Sequence, residues 1–320
     1  MIENKFWRDK KVLVTGGTGF LGRHVVEKLK KLNPKKIRAT GSKDYDLRKI
    51  EDARRAVKGM DIVIHLAGNV GGIGYNREHP AELFEDNILM GVNTMKAARE
   101  AGVKKYVAVG TICSYPKFTP VPFKEKYLFM GYPEETNAPY GLAKLMQLVQ
   151  AQAYRKQYGF NAIFVLPVNL YGPGDNFNSK SSHVIPSLIK KFIKAKVDGK
   201  KFIEVWGTGT ATREFLYVED AAEGILKAAE SFDKEDPVNL GAGFEISIKE
   251  LANIIKSLTE YEGDLIWDKQ KPDGQPRRKL DVSFAKKEFD FSANTNFKRG
   301  LIQTLDWFSK RKLDPYSLLA

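Results

Sequence analysis

A chain of 320 residues, 42% of them apolar and 28% charged, can fill one large or two modest hydrophobic cores and has an ordinary globular composition. No apolar run reaches the roughly 18–20 residues of a membrane span, the first ten residues lack the apolar centre of a signal peptide, and a lone cysteine, Cys113, excludes an intrachain disulfide. The formal charge of +13 invites a nucleic-acid reading, but Lys and Arg are spread along the chain with no basic block alternating with aromatics. Four scattered histidines and one cysteine offer no metal-ligand spacing. The expectation is a cytoplasmic protein with no nucleic acid, membrane or metal partner, some of its positive charge serving an anionic substrate.

The first informative stretch is Lys11-Val-Leu-Val-Thr-Gly16-Gly17-Thr18-Gly19-Phe20-Leu21-Gly22. Its β-branched run suits a buried parallel strand, and Val25, Val26 and Leu29 return at helical spacing. Between the two, Gly16, Gly19 and Gly22 lie three apart, and Gly17-x-Gly19-x-x-Gly22 fits the dinucleotide fingerprint. Glycine is needed there for the tight turn, for backbone contact with a pyrophosphate and for close helix–strand packing. The helix N-terminus then offers N–H groups and partial positive charge to phosphate. A P-loop requires Gly-Lys-Ser/Thr, whereas Arg23-His24 follow Gly22.

Ile37–Thr40 reads as a second strand. Where an NAD site holds a carboxylate, about 20 residues past the fingerprint, stand Gly41, Ser42 and Lys43, which suit a 2′-phosphate; this favours NADP(H), with NAD(H) open through Asp44. Asp46-Leu47 is expected beneath the adenine. Asp61–Leu66 is a third strand running into the glycine-rich Ala67-Gly68-Asn69-Val-Gly-Gly-Ile73, Pro80–Glu100 a helix, and Lys104–Gly110 a fourth strand. This alternation predicts an α/β, Rossmann-type doubly wound parallel sheet. From Pro116 to Pro139 no period survives, which marks a functional, substrate-side loop.

Tyr140–Tyr158 reads as a helix, Asn161–Leu166 as a strand, and Pro167–Asn176 as a turn-rich loop. A basic helix start at Ser181–Lys191 follows, then strands at Phe202–Trp206 and Glu214–Tyr217 flanking Gly207–Arg213. Val218–Ser231 is a helix, Val238–Leu240 a strand returning to the first sheet, and Ser247 with Glu250 a capping box for Ile248–Leu258. The rest mixes short helices with a basic turn at Pro272–Lys279. Residues 1–175 and about 214–242 are expected to form the dinucleotide domain, and about 176–213 with 243–320 a smaller, discontinuous C-terminal substrate domain.

Tyr140 and Lys144 fall on one helical face. An ammonium beside a phenol should favour the phenolate and leave a donor for a ribose hydroxyl. With Thr111 just after the fourth strand, the three would supply a proton donor, a hydrogen-bond donor and a charge tuner for hydride transfer.

Here the chain resembles the extended short-chain dehydrogenase/reductases, and among them the epimerase-reductases acting on GDP-4-keto-6-deoxy-D-mannose. The resemblance runs through Gly16-x-x-Gly-x-x-Gly22, Val70-Gly-Gly-Ile73, Cys113-Ser-Tyr-Pro-Lys117, Tyr140-x-x-x-Lys144, Asn169-Leu-Tyr-Gly-Pro173, Asp175-Asn-Phe177, Ser182-His-Val-Ile-Pro186, Val205-Trp-Gly-Thr-Gly209, Arg213-Glu-Phe-Leu216 and Pro272-Asp-Gly274. It implies epimerisation at C3 and C5 followed by reduction at C4 by NADPH, giving GDP-L-fucose. Tyr140, Lys144 and Thr111 would be joined by Cys113 as base on one face and protonated His183 as acid on the other. The cofactor would meet residues 16–22, Ser42, Lys43, Asp46, Leu47, Ala67 and Gly68. Val109, Gly110, Lys144, Pro167, Asn169, Leu170 and His183 would surround its reactive end. The nucleotide-diphosphate sugar would meet Asn169, Lys191, Trp206, Arg213, Asp273 and Arg278, and a homodimer would form through two helices of the first domain. Three departures stand out: Thr111 where serine is usual, Thr18 where some members carry arginine, and Ala67-Gly68-Asn69 for Ala-Ala-Lys.

Overall fold

In the computed structural model, residues 5–179, 181–271 and 273–311 are described. The first half runs α1 (Lys5–Arg8), β1 (Lys11–Thr15), α2 (Phe20–Lys31), β2 (Lys36–Thr40), α3 (Ile50–Val57), β3 (Ile62–His65), α4 (Ile73–Glu78), α5 (Pro80–Glu100), β4 (Lys105–Val109), α6 (Ala138–Tyr158) and β5 (Ala162–Pro167). The second half runs β6 (Asn169–Tyr171), α7 (Val184–Val197), β7 (Phe202–Trp206), β8 (Thr212–Arg213), β9 (Phe215–Tyr217), α8 (Val218–Ser231), β10 (Pro237–Leu240), β11 (Ile246–Ser247), α9 (Ile248–Leu258), β12 (Asp264–Asp268), β13 (Arg277–Arg278), α10 (Ser283–Phe289) and α11 (Phe297–Arg311).

Six strands form one parallel sheet in the order β10-β5-β4-β3-β1-β2. β3, β4 and β5 are buried along their whole length, which is why they read as unbroken apolar runs. The order reverses between β1 and β3, and right-handed crossovers therefore send α2 to one face and α5 to the other. α8 packs on α2, and α3 and α6 pack on α5. The reversal opens a crevice at the carboxyl ends of β1 and β3, where a doubly wound sheet takes its ligand.

A second hydrophobic cluster joins Tyr171, Ile185, Phe192, Val205, Phe215, Leu251, Ile255 and Leu301. The two cores share segments. Phe215 and Tyr217 belong to the second, whereas Leu280, Phe289 and Phe291, late in the chain, pack into the first.

Most elements lie where the patterning puts them. Elements the patterning did not give include α3, β12, β13, which lies in the stretch read as a basic turn, and β6, inside the stretch read as a loop: Asn169–Tyr171 pairs in parallel with Phe215–Tyr217. A three-residue strand whose partner lies over forty residues away leaves no local period to detect. The 116–139 stretch is a loop pinned at both ends of its course. Lys117 N donates to Tyr132 O at 2.9 Å, Phe123 N to Lys279 O at 2.7 Å, and Asn239 Nδ2 to Phe123 O at 3.0 Å. Pro272 of the Pro272-Asp-Gly274 motif lies outside the described residues.

Candidate active site

The glycine turn occupies the crevice. Gly16 has φ +66°, and a Cβ there would stand 2.9 Å from Ala67 N, so the turn lies directly against the end of β3. A Cβ on Gly22 would fall 2.0 Å from Gly16 O, so only glycine lets α2 start this close to the turn. The turn is stitched to the neighbouring strands by Gly17 N to Thr40 O at 2.9 Å and Ala67 N to Thr15 Oγ1 at 3.3 Å. The first turn of α2 carries no acidic residue, so its N–H groups and the helix dipole present uncompensated positive charge. At the end of β2, Ser42 and Lys43 are exposed, while Asp44 turns back to accept from Gly41 N at 2.8 Å. These features fit a dinucleotide and leave its adenosine end without a ribose-seeking carboxylate. Asp46 is occupied by Arg48, whose Nε donates to Oδ1 at 2.8 Å and whose Nη2 donates to Oδ2 at 3.1 Å. The Leu47 side chain packs into the main core.

Beyond the turn, the Ala67-Gly68 loop is clamped by Asn87, which accepts from Asn69 N at 3.1 Å and donates to Asn69 O at 2.8 Å. A Cβ on Gly68 would approach Lys144 Nζ to 3.9 Å, so this loop and α6 meet over the same space. His65, at the end of β3, is buried with Nδ1 2.9 Å from Thr15 Oγ1. Burial and the Lys144 charge hold its pKa well below the usual imidazole range.

Thr111 caps a short 3₁₀ turn, Ile112–Ser114, its Oγ1 accepting from Cys113 N at 3.2 Å. That turn rests on the start of α6: a Cβ on Gly141 would sit 2.3 Å from Cys113 O, and Ser114 Oγ donates to Gly141 O at 2.9 Å. The contact brings Thr111, Cys113 and Tyr140 together. Thr111 hydrogen-bonds the Tyr140 phenol, and Cys113 is near enough to act on its ionisation. Lys144 is 3% exposed, and burial lowers its pKa to about 8.

Two electrostatic expectations change. Burial, with a smaller contribution from Cys113, pushes the Tyr140 phenol above its ordinary pKa, and Lys144 does not pull it down. The buried ammonium is itself destabilised as a cation, and the phenol keeps its proton, as a donor requires. His183 stands at the N-cap of α7 without capping it, and is exposed. The surrounding protein and nearby Arg278 lower its pKa, so in the protein by itself it is less readily protonated than expected.

The side of the cleft expected to take the substrate is assembled from distant segments. β13 runs parallel to β8 and sets Arg278 beside Arg213. Arg278 is 9% exposed, and its Nη2 donates to Cys113 Sγ at 3.5 Å. The Arg213 guanidinium caps the carbonyls of Thr212 at 2.7 Å, Gln275 at 2.6 Å and Asp273 at 3.1 Å. Burial and Arg278 bring its pKa down to about 10. Two guanidinium groups side by side suit a diphosphate. The Asp273 carboxylate accepts from Thr208 N and Thr208 Oγ1, both at 2.7 Å, and so holds the loop after Trp206. Trp206 is 60% exposed, with Lys271 Nζ 5.5 Å from its ring centre, and Lys191 Nζ donates to Glu204 O at 2.7 Å. Asn169 Nδ2 donates to Glu214 O at 2.9 Å. Val109 and Pro167 are buried at the ends of β4 and β5, Gly110 packs on Phe164, and Leu170 is half-buried.

Two residues of this region carried no assigned role in the sequence. One is Asn87, a buried amide on α5 whose signal was a polar residue on an apolar face. The other is Glu214, fully buried, whose Oε1 accepts from Ala242 N at 2.6 Å and Gly243 N at 2.8 Å and whose Oε2 accepts from Leu280 N at 2.7 Å. Glu214 N also donates to Arg278 O at 3.1 Å, so one residue ties together the segments bearing Asn169, Arg213 and Arg278. Its place in the Arg213-Glu-Phe-Leu motif was the only available hint.

The family model described as NAD dependent epimerase/dehydratase matches residues 12–241. The probable GDP-L-fucose synthase 1 of Oryza sativa subsp. japonica is 38% identical over 95% of this chain and 94% of its own length. A crystal structure of a GDP-L-fucose synthetase from Naegleria fowleri bound to NADP aligns with TM-score 0.85 and 30% identity over 96% of both chains. A GDP-6-OMe-4-keto-L-xylo-heptose reductase from C. jejuni aligns with TM-score 0.90 and 25% identity over 95% of this chain and 99% of that one.

Proposed function

Because the chain belongs to the NAD dependent epimerase/dehydratase family, we propose that it converts GDP-4-keto-6-deoxy-D-mannose to GDP-L-fucose, by epimerisation at C3 and C5 and NADPH-dependent reduction at C4. The observation that carries this reading is the convergence of Thr111, Cys113, Tyr140, Lys144 and the Arg213–Arg278 pair on the cleft beside the glycine turn.

The C3 and C5 protons flank a ketone and are therefore acidic. Thr111 and Tyr140 share the C4 oxygen and stabilise the enolate that forms when a proton leaves. Cys113 removes that proton from one face, and His183 returns one on the other. Desolvation by the surrounding protein and, to a smaller extent, Arg278 lower the His183 pKa, and the substrate diphosphate, drawn to Arg213 and Arg278, offsets the second of these and so favours the protonated imidazole. NADPH, when bound, supplies the hydride for C4. Tyr140, protonated as its burial dictates, donates to the C4 oxygen, and Lys144 holds the ribose hydroxyls next to it.

The proposal includes the division of the chain: residues 1–175 and about 214–242 hold the cofactor, about 176–213 and 243–320 the nucleotide sugar, with Tyr171, Phe215 and Tyr217 packing into the second hydrophobic cluster and Leu280, Phe289 and Phe291 into the first, so that the two parts interlock. It also includes a cytoplasmic homodimer. Phe84, Leu89 and Val92 on α5 and Val149 on α6 are exposed apolar side chains on two helices packed together, a surface suited to a second copy. Among the described residues, no helix is long and apolar enough to cross a membrane.

A second reading, C4 reduction of another GDP-4-keto sugar without epimerisation, is favoured by the likeness to the C. jejuni reductase. Incubation of the keto substrate in D2O without NADPH separates the two. The main reading expects deuterium at C3 and C5, whereas reduction on later addition of NADPH with no prior exchange supports the second. Cys113→Ser and His183→Asn should lose exchange, while Tyr140→Phe, which leaves Thr111 on the C4 oxygen, slows exchange only in part and loses reduction by about 10²–10⁴-fold. Equal loss of both stages in all three variants would overturn the divided roles.

A further inference from the structure

We propose that Arg23 is the residue by which this chain selects NADP(H) over NAD(H), an inference resting on the dinucleotide reading of the glycine turn. A 2′-phosphate lies where the turn meets the end of β2, and needs cationic or N–H donors there. The turn itself offers Thr18, which is uncharged. Arg23, in the first turn of α2, points back: its Nε donates to Thr18 O at 2.7 Å. Thr18 in turn lies on the end of β2, since a Cβ on Gly41 would fall 2.5 Å from Thr18 Oγ1. The guanidinium is therefore pinned beside the seam between turn and strand. No carboxylate pairs with Arg23 among the described residues, and Asp44, the nearest acid in sequence to that strand end, is turned back onto Gly41 N. Nε is used by Thr18, and the two Nη groups remain for a phosphate, with Ser42 and Lys43 exposed across the seam. A ribose hydroxyl would gain at most a hydrogen bond from the cation, whereas a phosphate dianion would gain charge-assisted bonds as well.

The test is dissociation constants for NADP+ and NAD+, measured calorimetrically on the wild type and on Arg23→Gln, which removes the charge and keeps an N–H donor for Thr18. The expected result is NADP+ binding weakened about tenfold or more, with NAD+ changed less than about twofold. Arg23→Lys, which keeps the charge, should recover part of the loss. Equal weakening of both dinucleotides would make Arg23 a brace of the turn and overturn the proposal, as would no change in either. A wild-type protein binding neither dinucleotide would instead overturn the reading of the turn.

Discussion

The proposed cofactor end and the proposed substrate end of the cleft are built from different materials. At the cofactor end the ligand-facing surface is backbone: a turn whose glycines bring Gly16 against Ala67 and α2 against Gly16, with N–H groups offered by a helix start. At the substrate end it is side chain. Cys113, Tyr140, Arg213 and Arg278 arrive from four segments, held by contacts such as the Gly141–Cys113 approach and the buried carboxylate of Glu214. A backbone site is specified by a dozen consecutive residues and is disturbed by adding atoms. A side-chain site depends on staples remote from the chemistry and is disturbed by removing them.

Three experiments test that contrast. The largest effect is expected from Glu214→Ala, which leaves three backbone N–H groups without their acceptor. Stability should fall by about 4 kcal/mol in urea titrations, and C3/C5 exchange should drop while the NADP+ dissociation constant of the folded protein stays near wild type. If cofactor binding weakens equally, the two ends are not separately built. Gly22→Ala adds a methyl that would meet Gly16 O at 2.0 Å. It should destabilise by about 3 kcal/mol and weaken NADP+ binding by more than tenfold. Unchanged binding would show that the turn tolerates what its geometry forbids.

Lys144 sits between the two ends, and its replacement has a signed pH dependence. Its folded-state pKa of about 8 lies below the ordinary value of 10.5, so burying the cation disfavours the native state. That penalty is complete below pH 8, shrinks between the two values as the folded protein releases its proton first, and vanishes above them. Lys144→Met should therefore raise the stability of the protein by itself by about 2 kcal/mol at pH 7, with the gain fading towards pH 10.5 and reduction lost. A variant less stable at pH 7 would show that the ammonium has partners compensating its burial.

Legibility in the sequence follows the same division. The sheet, α2, α5, α6, α8 and the Ser247–Glu250 capping box were readable because each is an unbroken apolar run, a helical period or a local hydrogen-bond pair. β6 was not, since its partner β9 is remote and its neighbours are proline and glycine. Tyr140 and Lys144 could be placed on one helical face, but the direction of their ionisation could not. Adjacency predicted a lowered phenol, whereas burial, a property of the packed interior, raised the phenol and lowered the lysine.

Sequence alone determined the alternation of strand and helix, the glycine turn and the residue types able to move protons, because each depends on spacing within a few residues. Tertiary structure alone decided that Arg278 touches Cys113, that Glu214 is a buried tie and that Arg23 reaches back over Thr18 towards the end of β2. These are side-chain meetings across up to 165 positions of chain, and the burial that raises the Glu214 carboxyl above its ordinary pKa exists only once both cores have closed.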